Sequence, residues 1–279
     1  MSSPRARRLL VRGVSHLFLF AIALTAFYPF FVMIISSTHN HFNIMTTINI
    51  LPGNSLGDNW ERLTRHINIF RGTANSLVIA ISATILQNYF TLMGGYAFSK
   101  FLFKGRSGMF AFVVIMMMIP GQISIIGFFH TVRQMGLINS YIPLIIPGIA
   151  NSFAVFFYKQ YLDGALPNEM IEAAVMDGCR EINIFHQIVL PLAKPALVVQ
   201  GVLIFIGSWN SYLTPLIILN DRDRMTLPLL IATVRDANHA EVGAQYLGML
   251  ISIIPIVIIF CFSSKVIMER ISIGAAVKG

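Results

Sequence analysis

From residue 13 to residue 38 the chain reads GVSHLFLFAIALTAFYPFFVMIISST, without one Asp, Glu, Lys or Arg. About 20 such residues cross the hydrocarbon core of a bilayer. The run follows Arg5-Ala6-Arg7-Arg8, as a signal peptide would, and Ala21-Ile22-Ala23 resembles a cleavage site. A signal-peptide core, however, stops after about 7–15 apolar residues. This one continues to Ile35, so it reads as an uncleaved membrane anchor.

Five further charge-free windows lie downstream: Thr73–Ser99, Gly108–Val132, Gln134–Tyr158, Pro195–Asn220 and Val242–Ser264. All are long enough to span, and every formal charge lies outside the six. They are continuous apolar runs, not the alternating strands of a membrane barrel, so helices must satisfy the backbone. The expected fold class is all-α, a polytopic membrane protein with six transmembrane helices.

Composition agrees. Of 279 residues, 56% are hydrophobic and only 11% charged; the mean hydropathy is +0.72. Soluble domains are nearer a quarter charged, so a soluble fold, a disordered chain, collagen and coiled coil are all excluded. The net charge of +8 would fit a nucleic-acid binder, but the positions of the basic residues explain it better. With the N-terminus inside, the cytoplasmic side holds Arg5, Arg7, Arg8 and Arg12, then Lys100, Lys104 and Arg106, and finally Lys159, Arg180, Lys194, Lys265, Arg270 and Lys278. The other side holds only Arg62, Arg65, Arg71, Arg133, Arg222, Arg224 and Arg235. That asymmetry is the positive-inside pattern. Both termini are then cytoplasmic, and no nucleic-acid partner is expected. Cys179 and Cys261 have neither disulfide nor metal-ligand spacing and read as small apolar residues.

Catalytic signatures are missing. There is no G-x-x-x-x-G-K-[ST] run, and no H-E-x-x-H, G-x-S-x-G or C-x-x-C. His39-Asn40-His41 has no carboxylate or cysteine close by, and a solvated loop is the expectation there, with no metal. Inside the spans the only titratable side chains of note are His16 and His130, both near span ends. Proton-coupled carriers keep such groups at depth. Energy for uphill transport would therefore enter through a protein contact.

Three connections are long. Ser36–Gly72, with the turn Pro52-Gly53-Asn54, and Asn220–Glu241 fall outside; Lys159–Lys194 falls inside. The inner one reads Leu166-Pro167-Asn168-Glu169-Met170-Ile171-Glu172-Ala173-Ala174-Val175-Met176-Asp177-Gly178. Pro167 suits the first helical position, and Glu169 and Glu172 suit the positive end of the helix dipole. Gly178 is placed to end the helix in a left-handed conformation. A second short helix is expected from about Ile182 to Leu190, stopped by Pro191 and Pro195. Met170, Ala173, Ala174 and Asp177 fall on one face by helical spacing. That face could dock a partner or pack on the chain's own bundle.

These residues resemble a known family. Glu172-Ala173-Ala174, Gly178 and Ile188-Val189-Leu190-Pro191 match the EAA loop of ABC importer permeases at every spacing. Trp209-Asn210-Ser211-Tyr212-Leu213-Thr214-Pro215-Leu216 resembles the W-N-x-x-x-x-P-L stretch of carbohydrate permeases, and Thr226-Leu227-Pro228-Leu229 follows as in that group. Gly274-Ala275-Ala276-Val277-Lys278-Gly279 resembles the G-A-V-K-G ending of MalG-type subunits. Cys179 and Arg180 are less usual beside the glycine.

The resemblance implies a type I ABC importer permease fold, one transmembrane domain over 1–279 with EAA coupling helices at 166–191, in the bacterial cytoplasmic (inner) membrane. It implies a MalF-type second permease, a dimer of nucleotide-binding ATPase subunits and an extracytoplasmic sugar-binding protein as partners. ATP and Mg belong to the ATPase, and this chain binds no cofactor. Glu172, Ala173, Ala174, Asp177 and Gly178 would couple to the ATPase, and Lys278 and Gly279 would reach between its subunits. The cargo implied is a carbohydrate, an oligosaccharide by expectation. Uncharged hydroxyl-rich cargo needs amides, hydroxyls and aromatic faces; Asn88, Gln122, Asn151, Asn210 and Tyr212 are the candidate pathway residues, among other span residues such as Gln87, Tyr89 and Trp209. The alternatives are a permease for glycerol phosphate or a peptide, or a stand-alone channel or membrane enzyme.

Overall fold

The computed structural model describes residues 4–234 and 241–276, with side chains over 12–234 and 241–264. Arg235, Lys278 and Gly279 lie outside the described residues. Every regular element among the described residues is helical. The chain divides into two compact units, residues 1–68 with 231–253, and 69–230 with 254–279.

In the first unit α1 (Pro4–Ser37) is one long helix with Pro29 inside it. Its Leu17, Phe18, Leu19 and Phe20 face outward. No protein core covers them, as expected of a helix in lipid. The following loop holds α2 (His41–Thr46) and α3 (Leu56–His66). On α3, Asn59 and Leu63 point inward one turn apart, while Glu61 and Arg65 pair on the solvent face at 2.6 Å. Asn59 Nδ2 donates to the Ser37 and His39 carbonyls at 2.8 and 2.9 Å. Gly243 permits this: a Cβ there would stand 2.3 Å from the His39 carbonyl oxygen. His39 itself pairs with the Leu51 carbonyl at 2.9 Å, a loop contact.

The second unit is organised around α4 (Ile69–Lys100). It continues through α5 (Arg106–Met117), α6 (Ile125–Gln134), α7 (Ile142–Ile145) with a 3-10 turn to Ala150, and α8 (Ser152–Ala165). Next come α9 (Asn168–Met176) and a rod made of α10 (Glu181–Ile184), a π turn (Phe185–Val189) and α11 (Leu190–Leu192). Then follow α12 (Lys194–Trp209), α13 (Leu213–Ile218) and α14 (Leu227–Thr233). The last helix, α15 (Val242–Ala276), keeps Pro255 within it.

Three helices are long and apolar enough to cross a membrane unbroken: Arg12–Ser37, Ile69–Lys100 and Val242–Ser264. The other three expected spans are not straight helices. The window Gly108–Val132 bends by 89° between Met117 and Gly121, where Pro120 removes a backbone donor. Gln134–Tyr158 is also broken: its helical part runs Ile142–Ala150 and Ser152–Ala165, bent by 40°, with Pro143 and Pro147 in the first piece. Pro195–Asn220 ends its long helix at Trp209 and resumes at Leu213, and α12 meets the rod before it at 77°. Six passes result only if each bent pair is one span.

Contact between helices in lipid depends on small residues that let backbones approach. Gly95 of α4 lies against α8: a Cβ there would meet Tyr158 Cβ at 2.5 Å and Lys159 N at 2.9 Å. Gly201 of α12 lies against α4, where a Cβ would stand 3.0 Å from Asn88 Nδ2. At the Arg71 end of α4, Asn75 Nδ2 donates to the carbonyls of Asp223 and Met225, both at 2.9 Å, and Ser76 Oγ accepts from Leu227 N at 2.8 Å. Asn139, at φ 59°, accepts from Asn220 N and Asp221 N through its side chain. Gly95→Leu should therefore lower the melting temperature in detergent, by overpacking worth about 1–3 kcal/mol or more. Gly127→Ala, whose Cβ meets nothing within 4 Å, should leave it unchanged or slightly raised.

Candidate functional site

Residues 166–192 form a helical hairpin. Pro167 sits just before α9 in extended conformation and is its N-cap, one position earlier than its expected place inside the helix. At the other end Gly178 has φ 77°. Gly178 N donates to Val175 O at 2.9 Å and Cys179 N to Ala174 O at 3.0 Å. This pair of bonds is a Schellman motif, which uses glycine at its left-handed position. The second limb runs further than expected, from Glu181 to Leu192, and Pro191 lies within its last turn. Its π turn brings Phe185 and Val189 inward, both buried.

The face through Met170, Ala173, Ala174 and Asp177 is split. Ala174 is buried and, with Ile171, packs into a core of Leu92, Tyr96, Tyr158, Leu162, Leu166 and Phe185. Met170, Ala173 and Asp177 stay exposed, together with Glu169 and Glu172. Met176 is 86% exposed, and Val175 and Ile182 are also open to solvent. Among the described residues Glu169, Glu172 and Asp177 join no ion pair. The hairpin thus packs on its own bundle with one side and presents apolar side chains beside free carboxylates on the other.

Polar side chains tie this end together. Lys100 Nζ donates to the Leu166 carbonyl and, at 2.9 Å, to Asn168 Oδ1. Ser99 Oγ donates to Asp163 at 2.7 Å, and Lys159 pairs with the same carboxylate. Burial pushes the Asp163 carboxyl up. The bonds from Lys159 and Ser99 and the charges of Lys159 and Lys100 outweigh burial, so its pKa lies below the ordinary carboxylate value.

A second feature is a cavity of about 680 Å³ within the second unit. Gln87 of α4, Asn151, and Gln200, Ser208, Ser211 and Thr226 are its polar lining residues, with Thr214; none of the lining residues is charged. Gln200 and Thr226 are 2% and 3% exposed, and Gln200 Oε1 and Thr226 Oγ1 have no hydrogen-bond partner. Such orphan buried groups are rare, and here two of them belong to one cavity wall.

Of the residues expected on a pathway, Asn151 alone of the five lines this cavity, while capping α8 through Ala154 N at 2.9 Å. Asn88 does not; its Oδ1 accepts from Tyr158 Oη at 2.6 Å and its Nδ2 donates to Leu197 O at 3.3 Å, so it is an interhelical bond. Gln122, Asn210 and Tyr212 are outside the lining set and exposed. Trp209 is buried and stacks on Phe205. Gln200 and Thr226 were not expected there. Gln200 is an amide within a span, the residue type that singled out Gln87, and it shares a helical stripe with Ile204 and Ser208.

Known proteins match this architecture. A family profile described as binding-protein-dependent transport system inner membrane component matches residues 91–273. The arabinooligosaccharides transport system permease protein AraQ of Halalkalibacterium halodurans is 34% identical, over 92% of this chain and 93% of its own. The lactose transport system permease protein LacG of Rhizobium radiobacter is 29% identical, over 91% and 92%. A bacterial ABC transporter involved in the import of the acidic polysaccharide alginate has a chain of like fold, with TM-score 0.78 at 22% identity over 95% of this chain and 98% of that one.

The depressed Asp163 carboxyl gives a pH prediction. Its link to Lys159 and Ser99 stabilises the fold fully above the unfolded-state pKa, close to 3.8, and is lost as pH falls through the lower folded-state value. Melting curves in detergent should show Asp163→Asn less stable than wild type at pH 6, with the gap closing in strongly acidic solution.

Proposed function

The chain belongs to the family of binding-protein-dependent transport system inner membrane components, and from that premise we propose that it is a permease subunit of an ATP-driven ABC importer for an oligosaccharide. The observation that carries the reading is the hairpin, which offers exposed Met170, Val175 and Met176 beside unpaired Glu169 and Glu172. Apolar side chains outside the bilayer gain from a protein cover, and unpaired carboxylates favour a basic one. The cover proposed is a nucleotide-binding ATPase subunit, with Glu172 against a basic residue and Ala173 allowing close approach. The Gly178 turn shapes the hairpin for a cleft, and Asp177 lies beside it.

In this reading the chain is a single transmembrane domain. The broken windows Gly108–Val132, Gln134–Tyr158 and Pro195–Asn220 each make one pass, so six passes leave both termini in the cytoplasm and the hairpin with them. The positive-inside distribution supports this orientation. A second permease of MalF type completes the pathway, a binding protein delivers cargo from outside, and Lys278 and Gly279 reach between the ATPase subunits. The membrane is the bacterial cytoplasmic membrane. ATP and Mg sit on the ATPase, and this chain's part is mechanical. Closure of the ATPase dimer moves the docked hairpins, and the two permeases rock between inward-open and outward-open states, each populated according to what ATP and the loaded binding protein prefer.

The cavity supports a sugar cargo. Its lining offers amides and hydroxyls without charge, which suits hydroxyl-rich ligands and places no basic side chain where a phosphate would sit. AraQ and LacG, named for arabino-oligosaccharides and lactose, point the same way. Gln200 and Thr226, with Gln87 and Asn151, are the proposed contacts along the path.

Two tests follow. In proteoliposomes carrying the assembled complex and fed a panel of mono- and oligosaccharides, Glu172→Lys should abolish ATP-dependent uptake while the chain still inserts. Normal uptake by that variant removes the docking role. Gln200→Leu removes an orphan acceptor that costs about 1–3 kcal/mol, so it should melt higher than wild type yet lose at least tenfold in uptake. A variant both more stable and fully active would sink the cavity assignment.

A further inference from the structure

Three side chains of α4 hold the hairpin along its length, and Tyr161 of α8 adds one bond, from its Oη to the Leu192 carbonyl at 3.3 Å. Lys100 grips the start of the first limb at the Leu166 carbonyl and the Asn168 side chain. Tyr96 Oη donates to Glu181 Oε2 at 3.3 Å, at the first residue of the second limb. Tyr89 Oη meets His186 Nε2 at 3.1 Å, while His186 Nδ1 lies 2.7 Å from the Ile182 carbonyl. That carbonyl can only accept, so Nδ1 carries the proton; on the neutral ring Nε2 then accepts from Tyr89. Positions 89, 96 and 100 are seven and four apart and share a stripe of α4.

A second stripe of the same helix, Ile79, Ala83 and Gln87, lines the cavity. Between Ile69 and Lys100 the helix has no proline, and prolines are the usual cause of kinks. At about 1.5 Å per residue, Lys100 acts roughly 20 Å from Gln87. A displacement at one end of an unbroken helix is felt at the other, provided the moving part is fastened to it. Lys100 supplies a fastening that packing does not. Leu166 is buried at the end of α8 and is followed by Pro167, which has no N–H. Its carbonyl is satisfied from outside the segment by the Lys100 ammonium, which at the same time holds the first residue of α9.

We infer that α4 is the rod through which hairpin movement reaches the cavity, and that Lys100 is the positioning residue that fastens the first limb to it. The inference rests on the docking reading of the hairpin. It assigns Lys100 to the transmission of movement and not to contact with the ATPase.

The test uses the whole complex in nanodiscs. A Ser211→Cys change, in a chain with Cys179→Ser and Cys261→Ser, carries a bimane fluorophore at the cavity wall. Addition of ATP with vanadate should shift the bimane emission. Lys100→Met should reduce that shift at least fivefold while the ATPase remains bound in wild-type amount, and Lys100→Arg should restore most of it. Asn168→Ala, on the exposed surface, should reduce the shift in the same direction without loss of folding. A full shift in Lys100→Met overturns the inference, and so does loss of the ATPase from that variant, which would make Lys100 a support of local fold only. A full bimane shift in Glu172→Lys would instead count against the docking reading.

Discussion

A membrane interior has no water to satisfy a polar group, so an amide at depth must find protein partners. Asn88 does so with both ends, accepting from Tyr158 and donating to Leu197. One side chain thereby ties α4 to α8 and to α12, across the contacts that Gly95 and Gly201 make possible. Much of the second unit depends on this constraint. Along α4 the Arg71 end is bonded to the 220–227 segment, the middle lines the cavity, and the Lys100 end holds the hairpin. A single unbroken helix serves all three because its flanks are fixed by close approach and by buried polar bonds.

The hairpin shows how one short helix can serve two surfaces. Ile171 and Ala174 are committed to the bundle, leaving Glu169, Glu172, Met170 and Met176 to the water. Stability and recognition are thus separated by side of the helix. A partner can bind the exposed side without disturbing the core. The Gly178 turn, open on all sides, owes its glycine to a left-handed backbone and not to crowding.

Much of this was legible in the chain. Charge-free windows located the three unbroken long helices and overlap the three bent pairs, because the cost of charge in lipid leaves few exceptions. The hairpin and its glycine were legible because capping is local chemistry. The breaks at Pro120 and at 210–212 were less so: proline permits a kink, but neighbouring helices decide whether it happens, as the unbroken Pro29 and Pro255 show. Side-chain direction was hardest. Asn88 and Gln200 are both amides in apolar helices, and only the packed structure separates the interhelical bond from the unpaired group in the cavity wall. Ala173 and Ala174 are identical in chemistry, and their opposite exposure follows from one helical step of about 100°.

To work as proposed, the hairpin must lie on the cytoplasmic side and touch a motor subunit. Met176→Cys in a chain lacking Cys179 and Cys261, expressed with its ATPase, tests both by cross-linking in whole cells. A disulfide-length cross-link to the nucleotide-binding subunit, with no labelling of intact cells by a membrane-impermeant thiol reagent, is the predicted result. Labelling from outside, with no cross-link formed, would contradict it.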